Sequence, residues 1–321
     1  VLCAAAAVYA RADWSVTDQP GADQSGFEIS SPDPKTADLI GVDSMIERAS
    51  IDDIEIAYRV FGPSRDGVPV LMIMGYGGLM EMWPPTIVEA LARTRPVIVF
   101  DNRGMGYSTS SDQDYSIARF ASDAHALLQA LDIDRAHVLG WSMGSFIAQE
   151  LALAHPETVE RLVLLSASCG GAEAVWPHEA VWRRLVDMSG TLEERIRRML
   201  ENLFPPDWLR ETPDPMQVFP PITAPIDDAN LLRQADTLRA WPGVCPRLSE
   251  IAAPTLVMTG TEDVVIPPRN AWIIGTRIAA ASVIQIKGGG HGFFYQSPEQ
   301  TARYLATFLD GERLHPEPGG F

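Results

Sequence analysis

The feature that most constrains this chain is an alternation of two textures. "VPVLMIMG" (68–75) is a short unbroken apolar run, "MWPPTIVEALART" (82–94) spaces its apolar residues for a helix, and "PVIVFD" (96–101) is a second run. The pattern then repeats. "IARFASDAHALLQALDI" (117–133) sets Phe120, Ala124, Leu127, Leu128 and Leu131 on one stripe. "AHVLGWS" (136–142) is a third run, "GSFIAQELALAHP" (144–156) a third helix, and "VERLVLLSAS" (159–168) a fourth run. Strands apolar on both faces must be covered on both, and amphipathic helices between them do the covering. The expected fold class is α/β, a mostly parallel sheet with helices on both faces. Ahead of it, "MIERASIDDIEIAYRVFG" (45–62) divides two alternating runs at Asp52 and Asp53, which predicts a hairpin.

The rhythm breaks over residues 171–247, which hold several prolines, a long helical pattern at "WRRLVDMSGTLEERIRRMLENLF" and no convincing strand. It returns with "APTLVMTG", "PPRNAWIIGTRIA", "SVIQIKG" and "SPEQTARYLATFLD". Residues 1–40, rich in Ala, Asp, Ser, Pro and Gly, read as a flexible tail. The expected division is that tail, a core from 41–170 with 248–321, and a helical cap of three or four helices at 171–247, inserted between the sixth and seventh strands. The cap's aromatic residues, among them Trp176, Trp182, Phe204, Trp208, Phe219 and Trp241, are expected to pack it onto the core, with some facing a pocket beneath.

Net charge is −17, and Lys35 and Lys287 are the only lysines, so a nucleic-acid partner is not expected. No apolar run reaches the 18 residues of a membrane span. Neither a P-loop nor a G-x-G-x-x-G is present. Three cysteines, widely spaced, indicate neither a disulfide framework nor a zinc site, and leave open one bridge between Cys169 and Cys245. The expected location is cytoplasmic. Export is the alternative if "VLCAAAAVYARA" (1–12) is a truncated signal peptide, since "VYA" and "ARA" resemble signal-peptidase sites although a basic leading region is missing. Nothing in the chain sets an oligomeric state.

The chemistry converges on "VLGWSMGSF" (138–146). Ser142 stands at a strand-to-helix junction between Gly140 and Gly144, a sharp turn that would lift its hydroxyl above the carboxyl edge of the sheet. Such a serine needs a base. Of six histidines, His125, His137, His155, His178 and His315 read as structural or solvated, whereas His291, in "KGGGHGFF" just past the last strand, can reach the same edge. The base needs a carboxylate, and "VMTGTEDVVIPP" offers Asp263, with Glu262 as its competitor. Backbone N–H groups of Met143 and of Tyr76, in the "GYGG" loop, are the expected oxyanion donors.

The order Ser142, Asp263, His291 and the turn "DNRGMGYS" (101–108) resemble the α/β-hydrolase superfamily over residues 45–312. Met74 stands where that family usually has His in the oxyanion loop, and backbone donors do not require it. Asp101 and Arg103 are read as a structural pairing that shapes their loop. The "GWSMGS" elbow and the cap resemble carboxylesterases and polyketide methylesterases. A serine at the elbow disfavours dehalogenase and epoxide-hydrolase chemistry, which uses aspartate there. The resemblance thus implies a serine hydrolase of a small or medium hydrophobic carboxylic ester, with no cofactor and no metal. Lactonase, C–C bond hydrolase and perhydrolase activities on the same triad are alternatives, and a ligand receptor with incidental turnover is an alternative of another class.

Overall fold

A computed structural model describes residues 45–63 and 67–312, so the tail read at 1–40 lies outside the described residues. Eight strands form one sheet: β1 (Glu47–Ile51), β2 (Ile54–Phe61), β3 (Val70–Ile73), β4 (Val97–Phe100), β5 (Ala136–Trp141), β6 (Val159–Leu165), β7 (Thr255–Gly260) and β8 (Ala281–Ile286). Their order is β1-β2-β4-β3-β5-β6-β7-β8. The predicted hairpin is β1–β2; it pairs antiparallel and joins β4 antiparallel, while every other pairing is parallel. All residues of β3, β4, β5 and β7 are buried, which explains their unbroken apolar runs. β8 closes the edge and exposes part of its length.

The helices are α1 (Pro85–Ala92), α2 (Ile117–Ala130), α3 (Met143–Ala154), α4 (Glu179–Val186), α5 (Leu192–Leu203), α6 (Pro206–Glu211), α7 (Asp228–Ala240), α8 (Arg269–Gly275), α9 (Phe293–Gln296) and α10 (Pro298–Leu309). α1 packs with α10 and α2 with α3. Four of the helices, α4 to α7, lie between β6 and β7, where the rhythm breaks. α5 starts on a capping box, Thr191 accepting from Glu194 N while the Glu194 carboxylate accepts from Thr191 N. Cys169 and Cys245 are joined in a disulfide with Cα atoms 4.9 Å apart. Beside it Val244 N donates to Cys169 O at 2.7 Å. The insertion therefore leaves and re-enters the core at one place.

β3 lies between β4 and β5, so the chain turns left after one strand and right after the next. Loops leaving the carboxyl ends of β3 and β5 diverge there, opening the crevice in which α/β proteins bind ligands.

One expectation is corrected. Asp101 and Arg103 do not pair with each other. Buried Arg103 forks onto Asp123 through Nε (2.9 Å) and Nη2 (2.8 Å), and its Nη1 reaches Asp53 (3.0 Å) and Ser111 (2.9 Å). Asp101 instead accepts from Met80 N at 2.8 Å and Tyr107 N at 2.9 Å. Burial pushes its carboxyl up to about 7, against the pull of those two donors. The chain enters a turn at Arg103, so side chains two residues apart leave in different directions and meet different neighbours.

Removing Arg103 strands the Asp123 carboxylate in the interior. Arg103→Ala should cost about 3–5 kcal/mol of unfolding free energy in urea titration, and a loss below about 1 kcal/mol would contradict a buried pair. His137 at the start of β5 supplies a pH test. Burial first, then the charges of Arg95 and Arg161, lower it to about 3, and its Nδ1 has no partner among the described residues. The unfolded chain takes up a proton near the ordinary value of about 6.5 that the folded chain refuses. Stability from this group is present above that value and lost as pH falls toward the folded one. Between pH 7.5 and 4.5, wild type should lose about 2–3 kcal/mol more than His137→Leu, and parallel losses would remove the assignment.

Candidate active site

Three strand ends deliver the three side chains. Ser142 follows β5 directly and caps α3 with φ 54° and ψ −121°, a backbone conformation that L-residues rarely adopt. Its N–H donates to Leu165 O at 3.0 Å, and its carbonyl accepts from Ser145 N at 2.8 Å and Ser145 Oγ at 2.6 Å. The turn is possible because its flanks carry no side chain: a Cβ on Gly140 would run into Gly144 O, and one on Gly144 into Ile73 O.

His291 Nε2 lies 2.9 Å from Ser142 Oγ, and His291 Nδ1 lies 2.9 Å and 3.1 Å from the two Asp263 carboxylate oxygens. Asp263 and His291 are each 3% exposed, which keeps the pair out of bulk water. Asp263 follows β7, and its Oδ1 also accepts from Val265 N (2.9 Å) and Ile266 N (2.8 Å), so the carboxylate cannot swing away. Glu262 is exposed and borders a separate outer cleft with Arg210 and Val264. The structure thus brings Ser142, His291 and Asp263 together and leaves Glu262 apart.

His291 must reach back across two strands, and its backbone is tied down to do so. Its carbonyl accepts from Trp141 Nε1 and from Ser166 Oγ, each at 3.1 Å. Sequence reasoning missed both residues. The available signal was position alone, because Trp141 ends β5 and Ser166 directly follows the neighbouring β6.

Met143 heads α3, so its N–H has no acceptor within the helix. A Cβ on Gly75 would lie 3.0 Å from Ser142 Cβ, which brings the Gly75–Tyr76 backbone against the serine. Asn102 Nδ2 donates to Met74 O at 3.2 Å, and the Asp101 bond to Met80 N grips the same loop further on. The "DNRGMGYS" turn therefore shapes its neighbour as well as itself. Gly77 N donates to Gln234 Oε1 of α7 at 2.9 Å, so the insertion also holds this loop.

Above Ser142 is a cavity walled by Phe146, Val265 and Ile266 of the core and by Trp176, Trp182, Leu185, Met199 and Leu238 of the insertion. No Asp, Glu, Lys or Arg lines it among the described residues. The other aromatics of the insertion pack. Phe204 meets Trp208 and Phe219, Phe219 meets Tyr295, and Trp241 stacks on Phe146 with ring centres 4.5 Å apart. No cluster of metal-ligating side chains and no helix long and apolar enough to cross a membrane occurs among the described residues.

A hydroxyl within reach of an imidazole whose far nitrogen faces a buried carboxylate can be activated for nucleophilic attack, and helix N-terminal N–H groups beside it can stabilise the resulting oxyanion. Fold and site define a class. The chain belongs to the α/β-hydrolase family, whose model, described as alpha/beta hydrolase fold, matches residues 68–298. It is 30% identical over 264 residues to RutD of Azorhizobium caulinodans, by its name a candidate carbamate hydrolase, covering 80% of this chain and 95% of that one. It is 32% identical over 271 residues to BpoC of Mycobacterium tuberculosis, by its name a candidate non-heme bromoperoxidase, covering 80% and 98%. The crystal structure of a hydrolase from Pseudomonas aeruginosa superposes with a TM-score of 0.71 at 28% identity, covering 82% of this chain and 98% of that one.

The glycine before the helix gives a direct check on this geometry. Gly144→Ala sets a Cβ against backbone atoms that cannot give way, so it should displace α3 and Ser142. Displacements of that order cost roughly hundredfold in rate, so labelling of Ser142 by a fluorophosphonate should slow by about that factor. An unchanged labelling rate would contradict the close approach of α3 to β3.

Proposed function

We propose that the protein is a serine hydrolase of neutral carboxylic esters with small or medium hydrophobic groups. The observation that carries this reading is the continuous contact from Ser142 Oγ through His291 to the Asp263 carboxylate, beneath a cavity without charged walls. His291 Nε2 takes the serine proton as Oγ attacks the ester carbonyl. The tetrahedral oxyanion is received by the N–H groups of Met143 and Tyr76. His291 then hands its proton to the leaving alcohol, leaving Ser142 acylated. A water enters, loses a proton to His291 and attacks the acyl carbonyl, and the acid departs as the proton returns to Ser142. Asp263 holds the imidazole in the tautomer with the proton on Nδ1 and stabilises the imidazolium formed in each half-reaction.

The uncharged lining and the net charge of −17 both favour neutral over anionic substrates. A carbamate passes through the same tetrahedral step, and the name of the Azorhizobium relative supports including one in any substrate panel. For location, the Cys169–Cys245 disulfide supports the exported alternative over the cytoplasm, because such bonds persist in oxidising surroundings.

A panel of neutral and acidic esters, run on wild type and four variants, tests the reading. Ser142→Ala and His291→Ala should each lower kcat/KM by at least about a thousandfold. Asp263→Asn should cost up to about ten-thousandfold, and Glu262→Gln less than about twofold. A fluorophosphonate should label Ser142 alone. A damaging Glu262→Gln, labelling of another serine, or equal turnover of acidic and neutral esters would each contradict the proposal.

A further inference from the structure

α5 carries an inconsistency. Its buried residues are Met199, Asn202 and Leu203, so a carboxamide sits on the stripe that should be apolar. Asn202 is 3% exposed, and asparagine is among the weaker helix formers. Polar residues that break a buried pattern mark places where something other than packing sets the choice.

The orientation of this carboxamide is fixed. Arg184 Nε donates to Asn202 Oδ1 at 2.6 Å, and Arg184 Nη2 donates to the neighbouring Glu201 O at 3.2 Å. Arginine can only donate, so the end facing it must be the oxygen. Arg184 borders the outer cleft and not the cavity above Ser142, whereas Asn202 borders both. The oxygen therefore turns outward, and the NH2 group is the end left for the cavity. No described residue accepts a hydrogen bond from Nδ2.

The position of α5 says which end of the cavity this is. Gly292 N donates to Leu203 O at 2.9 Å, and a Cβ on Gly290 would meet the same carbonyl. The last turn of α5 is thus seated on the loop that carries His291. Asn202, one residue earlier, presents its donor at the His291 end of a cavity whose other polar lining residues are Tyr76, Ser142, Ser168 and His291.

We propose that Asn202 is a specificity-determining residue, whose NH2 group donates a hydrogen bond to a second, neutral oxygen of the substrate. That oxygen is a carbonyl or ether oxygen a few bonds from the ester. The inference rests on the serine-hydrolase reading and narrows it to oxygenated esters. A carboxylate in this role is disfavoured by the absence of any cationic side chain in the lining. The second oxygen could belong to the acyl half or to the alcohol half, and the two are separated by the choice of substrates.

The experiment compares kcat/KM for two matched pairs: a 3-oxoalkanoate ester against the alkanoate of equal length, and a 2-methoxyethyl ester against the butyl ester. Each ratio is measured in wild type, Asn202→Asp and Asn202→Leu, so that intrinsic reactivity cancels between proteins. Asn202→Asp keeps an oxygen for Arg184 and removes the donor; Asn202→Leu keeps the volume and removes both. Loss of one neutral hydrogen bond should lower the oxygenated-to-plain ratio about three- to tenfold in both variants, for the pair whose oxygen Asn202 meets. If one variant does not fold, the other carries the same comparison. Ratios unchanged within about twofold for both pairs overturn the inference. So does a wild type that is labelled at Ser142 by a fluorophosphonate yet hydrolyses neither oxygenated ester. A wild type that is neither labelled nor active removes the serine-hydrolase reading itself, and this inference with it.

Discussion

Everything at the candidate site depends on how closely two backbones approach. α3 meets β3 at Gly144, and β5 meets α3 at Gly140, with no side chain between them in either place. That contact lets the chain reverse within one residue and hold Ser142 at a positive φ. A conformation of this kind costs on the order of 1–3 kcal/mol and persists only where its surroundings over-determine it. Here they do so through the bonds of the Ser142 N–H and carbonyl and through the close seating of α3 on β3. The same approach sets the Gly75–Tyr76 backbone against the serine, so one steric fact positions both the hydroxyl and the loop expected to receive the oxyanion.

The middle of the sheet was legible because burial on both faces admits only apolar residues, and four strands in sequence announce themselves that way. The junction at Ser142 was legible because glycine at fixed offsets is the only way to make it. What sequence could not supply were contacts decided by how elements dock. Asp101 lies two residues from Arg103, but the carboxylates that meet the guanidinium are Asp123, brought there by the packing of α2, and Asp53 of the β1–β2 turn. The ties on the His291 carbonyl come from residues 150 and 125 positions away in the chain. The aromatics of the insertion divide between cavity and packing according to a helix arrangement that periodicity does not encode: Trp176 and Trp182 reach the cavity, and Trp241 does not. Asn202 was visible as a letter but not as an exception until the buried face of α5 was known.

Core and insertion contribute different things. The core brings Ser142, Asp263 and His291, held by backbone donors and by strand ends. The insertion brings most of the apolar wall, yet it also reaches down to the machinery at two points, through Gln234 on the Gly77 N–H and through Leu203 on the Gly292 N–H. These contacts touch the loops on either side of Ser142. A shift of the insertion would therefore act on the Gly75–Gly77 loop and the His291 loop together.

The two ends of the insertion meet at the Cys169–Cys245 bridge, 76 residues apart in sequence and 4.9 Å apart in space. A segment whose two ends leave the core side by side imposes no length of its own on the sheet. Helices between the two cysteines can be lengthened, shortened or exchanged without altering the distance the core must span. The cut ends would still be held if the segment were nicked anywhere between them. Such an attachment makes the wall of the cavity a graftable part: descent can rewrite the lining while the strand ends that carry Ser142, Asp263 and His291 stay where they are, so long as the ties at Gln234 and Leu203 are kept.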